Sequence, residues 1–168
     1  HYKNGTHLWA TAEDFTNKYV ADTAVKLSDV GTKNTRLLPI GAVLVTCIAS
    51  IGKNAIAAKP LATNQQINAV IVNDHHNNEF FYYLMTFKKN LLERYAGAGG
   101  VKILSKVQFS RIKILVPDKI EQEAIASVIG GADKQLDFLK EKLDLLKDQK
   151  KYLLNNLVTG AIRTPEDI

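Results

Sequence analysis

The chain has 168 residues, 46% hydrophobic and 23% charged, with a formal net charge of +5. That composition excludes an intrinsically disordered chain and leaves room for one domain with its own core plus one appended element. There is no apolar run near the roughly 18–20 residues of a membrane span, no hydrophobic stretch after His1-Tyr2-Lys3 to make a signal peptide, and a single cysteine, Cys47, which excludes an intrachain disulfide and suits the cytoplasm.

Taken in chain order, Leu8-Trp9-Ala10-Thr11 reads as a strand without lead-in, so His1 is expected to fall inside a domain. Residues 42–49 (AVLVTCIA) are a continuous apolar run that predicts a buried strand, with Cys47 a small buried hydrophobe. A turn at 50–54, short strands at 55–58 and 66–72, and a polar loop at 73–78 (NDHHNN) follow. Phe80, Leu84, Phe87, Leu91 and Tyr95 recur at spacings of three and four, which predicts one helix over 79–95 ended by Gly97-Ala98-Gly99-Gly100. Ser105 is placed to cap a single helical turn. Residues 111–114 alternate polar and apolar, which predicts a half-exposed strand with Arg111 and Lys113 on one outward face.

Beyond Pro117 the period changes. Asp118, with Glu121 three residues later, forms a capping box, and the helix it opens is expected to reach Val158, stopped by Thr159-Gly160. Such a helix is roughly 60 Å long at 1.5 Å per residue. Ile129, Ala132, Leu136, Leu139, Leu143, Leu146, Lys150, Leu153 and Leu157 follow three-four spacing over four heptads, and eight of the nine are apolar. That is a coiled-coil seam, and it requires a partner helix. Lys150 either sets register within the seam or snorkels out of it. Phe138, Leu145 and Tyr152 form a second stripe off the seam, expected to pack against a further surface, either the preceding domain or another subunit. Gly130-Gly131 is where the helix is expected to be interrupted.

Charge divides the chain. Residues 1–117 hold 14 Lys/Arg and 7 Asp/Glu, while residues 118–168 hold 8 and 10. No acid occurs between Asp29 and Asp74, where Lys33, Arg36, Lys53 and Lys59 do, nor between Glu93 and Asp118, where Arg94, Lys102, Lys106, Arg111 and Lys113 do. Two acid-free basic stretches in a globular part are the footprint of a polyanion partner. Within the first of them, Asn64, Gln65, Gln66 and Asn68 concentrate amides, which offer the paired donor and acceptor that match adenine N6 and N7. The alternative is a turn whose amides satisfy the backbone. Gly99 and Gly100, with Lys102 behind them, would allow close backbone approach to a phosphate, or form a plain connector.

Catalytic patterns are missing. Gly52-Lys53 lacks the earlier glycine and the following Ser/Thr of a phosphate-binding loop, and no GxGxxG follows a strand. No Asn/Asp-Pro-Pro-aromatic segment is present to hold an adenine for methylation. His75-His76 are adjacent in a loop, which predicts exposed turn residues and not a metal pair.

The order Trp9-Ala10-Thr11-Ala12-Glu13-Asp14-Phe15, Leu38-Pro39-Ile40-Gly41-Ala42-Val43-Leu44-Val45-Thr46, Ala49-Ser50-Ile51-Gly52-Lys53, Thr63-Asn64-Gln65-Gln66, Gly99-Gly100, Val116-Pro117, Glu121-Gln122, Ile125-Ala126 and Leu157-Val158-Thr159-Gly160 resembles a type I restriction-modification specificity subunit. The resemblance implies an α+β target-recognition domain over 1–117, with a twisted β-sheet and flanking helices. It further implies a long coiled-coil-type spacer helix over 118–160 and a frayed tail over 161–168. It implies no catalysis and no cofactor in this chain; S-adenosylmethionine, ATP and Mg2+ would be held by other subunits. The implied partners are double-stranded DNA, methyltransferase and restriction subunits, and a second recognition half or second copy along the helix, with no membrane. One recognition domain and one helix stand here where the family pattern has two of each. The competing possibilities are the recognition region of a single-chain adenine methyltransferase or restriction-modification fusion, and a coiled-coil module whose basic domain binds an acidic protein.

Overall fold

The computed structural model describes residues 1–97 and 101–164. The chain divides into two compact units, His1–Ala126 and Ser127–Ile168. Within the first unit, β1 (His7–Ala10), β3 (Val25–Leu27) and β6 (Leu61–Thr63) form one sheet in the order β3-β1-β6, with β1 antiparallel to β3 and parallel to β6. A second sheet has the order β2-β5-β4-β7, from β2 (Tyr19–Val20), β5 (Asn54–Ala57), β4 (Val43–Thr46) and β7 (Ile67–Val70). Helices α1 (Asp29–Thr32), α2 (Asn78–Phe87), α3 (Lys89–Tyr95) and α4 (Lys106–Arg111) flank them.

The central strand β4 explains the apolar run. Leu44 packs with Leu8, Ala10 and Leu61 of the first sheet, while Val43 and Val45 pack with Met85 and Leu92 of α2 and α3. Both faces of β4 are therefore covered, and alternation gives way to a continuous hydrophobic stretch. Cys47 is buried in the helix-side cluster, and its burial pushes the thiol above its usual range.

Three local expectations are corrected. Residues 79–95 form two helices, because Lys88 leaves helical geometry at φ −85°, ψ 8°, and the buried positions become Phe80, Met85 and Leu92 while Phe87 stands exposed. Residues 111–114 are no strand. Arg111 closes α4, whose N-terminus is capped by a Ser105–Gln108 box, and Ile112 and Ile114 pack on the helix-side core without a neighbouring strand to bond. One-sided packing imposes the same period as a half-buried strand. The single expected sheet is two.

Helix α5 (Lys119–Val158) is unbroken through Gly130-Gly131, so the expected interruption does not occur. Asp118 Oδ1 accepts from the Glu121 N–H at 2.9 Å at its start. At its end Gly160 takes φ +72°, its N–H bonds the Leu157 carbonyl at 3.1 Å, and the Ile162 N–H bonds the Asn156 carbonyl at 3.1 Å. Leu136, Leu139, Leu143 and Leu146 each leave half or more of their surface exposed, as do Phe138, Leu145 and Tyr152. Ile129, Leu153 and Leu157 are less exposed, and Ala132 and Lys150 also face solvent. Among the described residues no helix is long and apolar enough to cross a membrane.

Candidate nucleic-acid interface

Topology brings several predicted residues to one end of the first unit. Strand β4 is antiparallel to β5 and β7, so its Thr46 end faces the starts of both. The turn after β4 carries Lys53, and the turn before β7 carries Gln65 and Gln66. The Cys47 N–H bonds the Gln66 carbonyl at 2.8 Å, which ties the two turns together. The segment around Lys102 joins them: Ile48 bridges Ile103, and the Leu104 N–H bonds the Cys47 carbonyl at 2.8 Å.

The turn is built tightly. Gly52 sits at φ +84°, where a side chain would be strained, and a Cβ there would lie 2.9 Å from Lys89 Cγ. The start of α3 therefore abuts the turn, adding Lys88 and Lys89 to the same end. Sequence reasoning passed over this pair; its signal was two adjacent lysines within a predicted helix. Ala49 also takes φ +60°, a conformation uncommon for alanine. The hydroxyl of Thr46 bonds the Ser50 and Lys53 carbonyls and closes the turn from beneath.

The amide cluster divides by role. Asn64 Oδ1 accepts from the Gln66 N–H at 3.1 Å, an Asx turn, and Asn68 Nδ2 donates to the Leu104 carbonyl at 3.2 Å. Both are half-buried and support the backbone. Gln65 and Gln66 are exposed, and their side-chain amides bond nothing among the described residues. Lys53 is exposed, but its ammonium donates to the Ala12 carbonyl at 2.9 Å, which pins the 3-10 turn Ala12–Asp14. Lys102 and Arg94 line one open concavity with Asn90 and Glu93.

Other predicted residues lie elsewhere. Lys33 and Arg36 follow α1, which leaves the Leu27 end of β3; Leu27 pairs with His7, so both cations belong to the opposite end from Gln65. Arg111 and Lys113 are exposed on either side of the packed Ile112. Gly99 and Gly100 fall outside the described residues. Among the described residues no three His, Cys, Asp or Glu side chains group to hold a metal.

A charge network joins the start of β2 to α2. Lys18 Nζ donates to Glu79 Oε2 at 2.7 Å and to the Tyr83 hydroxyl at 3.0 Å, with the Tyr83 ring 4.6 Å away, and the Tyr19 hydroxyl donates to Glu79 Oε1. Burial alone would pull the Lys18 ammonium down, but the bonds to Glu79 and Tyr83 and the Glu79 charge outweigh it and hold its pKa above the usual lysine range. Burial, then the Glu79 bond and charge, push the Tyr19 phenol up to about 12.

The loop at 73–78 also departs from expectation. His75 is exposed, but His76 is half-buried and bonded to Gln122, whose side chain is fully buried. The adjacent pair hid that asymmetry, and a glutamine in the first turns of an exposed helix carried no signal of burial.

Residues 1–148 match the family model for the type I restriction modification DNA specificity domain, and the chain belongs to that family. It is 31% identical over 153 residues to the type I restriction enzyme HindI specificity subunit of Haemophilus influenzae, covering 86% of this chain and 32% of that protein. It is 29% identical over 164 residues to the type I restriction enzyme MjaIX specificity subunit of Methanocaldococcus jannaschii, covering 92% and 38%. The chain thus spans about a third of the length of these relatives. Its fold matches the HsdS subunit from Thermoanaerobacter tengcongensis with a TM-score of 0.66 at 17% identity, covering 91% of this chain and 37% of that one. It also matches a chain from a structure of a type I R-M system with a TM-score of 0.70 at 17% identity, covering 93% and 39%.

Proposed function

We propose that the chain reads duplex DNA as the non-catalytic recognition half of a type I specificity subunit, taking one half of a bipartite target. The observation that carries this reading is the gathering of Gln65 and Gln66, with uncommitted amides, beside Lys53, Lys88, Lys89 and Lys102, on segments where lysine outnumbers the Glu93 carboxylate of α3. Glutamine amides can take the paired N6 and N7 positions of adenine in the major groove. The surrounding lysines neutralise phosphates, which fixes register without carrying sequence.

In this proposal α5 is the spacer. Its seam from Ile129 to Leu157 takes a second recognition half or a second copy, and the Phe138, Leu145 and Tyr152 stripe takes a methyltransferase subunit. The restriction subunit joins the same cytoplasmic assembly. S-adenosylmethionine, ATP and Mg2+ belong to those other subunits.

Titrating a labelled duplex across salt concentrations tests the electrostatic part. Each phosphate contact steepens the slope of log K against log salt by about 0.9. Lys89→Ala and Lys102→Ala should each flatten it by about that much and weaken all duplexes alike. Lys53→Ala is a poorer probe, because it also releases the Ala12 carbonyl. An acidic polypeptide that displaces the chain as well as duplex DNA does would favour the interaction-module alternative.

A further inference from the structure

Gln122 has no exposed surface, and its amide makes three hydrogen bonds. Oε1 accepts from the Asn77 N–H at 2.9 Å, while Nε2 donates to the Pro117 carbonyl at 2.8 Å and to His76 Nδ1 at 3.0 Å. A backbone donor and a backbone acceptor fix which way the amide points, so His76 Nδ1 has to accept and the ring proton has to sit on Nε2. Lys119 Nζ adds a bond to the Asp74 carbonyl at 2.8 Å on the same loop. The first turns of α5, through Ala126, belong to the same compact unit as the two sheets.

That loop continues β7, and β7 begins at Ile67, directly after the Gln65-Gln66 turn. One strand, locked to β4 over four residue pairs, therefore runs from the turn to the loop that holds the helix root. We propose that Gln122 and His76 are positioning residues: their clamp fixes the root of α5 to the reading strand and so sets how strictly the protein measures the distance between half-sites. The inference rests on the DNA-reading function proposed above. The lever is long. A tilt of about 5° at the root moves the far end of a roughly 60 Å helix by about 5 Å, more than one base-pair step of 3.4 Å.

The test uses the assembly that pairs two recognition halves, on one chain or on two copies, and duplexes whose half-sites are separated by spacers differing by single base pairs. His76→Phe removes the Nδ1 acceptor and leaves the rest of the clamp; His76→Asn replaces it with an amide oxygen. The preference for the best spacer over its neighbours should fall about fivefold in His76→Phe, the value of one hydrogen bond, and return in His76→Asn. Half-site base preference should be unchanged in both, which a merely destabilised domain would not show. Gln122→Leu, if it folds, should relax spacing further. Unchanged spacer preference in His76→Phe, or no recovery in His76→Asn, overturns the clamp. Loss of all base preference in the unaltered protein would instead overturn the DNA-reading function itself.

Discussion

Gln122 and Gln66 carry the same side chain and use it in opposite ways. Gln122 is buried with three partners, while Gln66 is exposed with its amide free among the described residues. An unsatisfied amide is tolerable only where water or a ligand can reach it. The Lys18, Tyr19 and Glu79 network lies between these cases, paired throughout, with Lys18 and Glu79 half-buried and Tyr19 exposed. Because folding raises the Tyr19 pKa from 10.0 to about 12, its contribution to stability is fully present below pH 10 and is lost as pH rises through 12. In an alkaline absorbance titration, Tyr19→Phe should remove one phenol from the latest step and leave the ordinary step near 10 intact. Loss from the ordinary step instead would contradict the Glu79 pairing.

At the scale of elements, legibility followed packing. Strand β4 was readable because burial on both faces leaves a run with no polar interruption. The break at Lys88 was not, because Phe87 and Leu91 continue the helical spacing across it while the backbone departs. Strands β2, β3 and β6 have two or three residues each, too few to show a period. Asn64 and Asn68 were indistinguishable by composition from Gln65 and Gln66; only their place beside the backbone separates them. The seam of α5 makes its own prediction, since its leucines remain exposed in the single chain. Leu139→Glu with Leu146→Glu should convert an associating chain to a monomer in sedimentation velocity, with the helix retained by circular dichroism. Association that survives both charges would remove the seam as the interface.

For the whole molecule, the +7 net charge of residues 1–117, from 14 Lys/Arg and 7 Asp/Glu, is uneven. The end with Gln65 and Gln66 gathers lysines from three segments, while Lys33 and Arg36 occupy the opposite end. A duplex held at the glutamine end would therefore be read there and would leave Lys33 and Arg36 without a role in base choice. The direct test is selection from a randomised duplex library, near physiological salt, by the unaltered chain and by the Gln65→Ala/Gln66→Ala variant. The account predicts one enriched half-site for the unaltered chain. In the variant, that preference should relax by about 1–3 kcal/mol per lost bidentate contact, while affinity for unselected duplex stays within about twofold because the lysines remain. Equal enrichment of the same half-site by both proteins would contradict it.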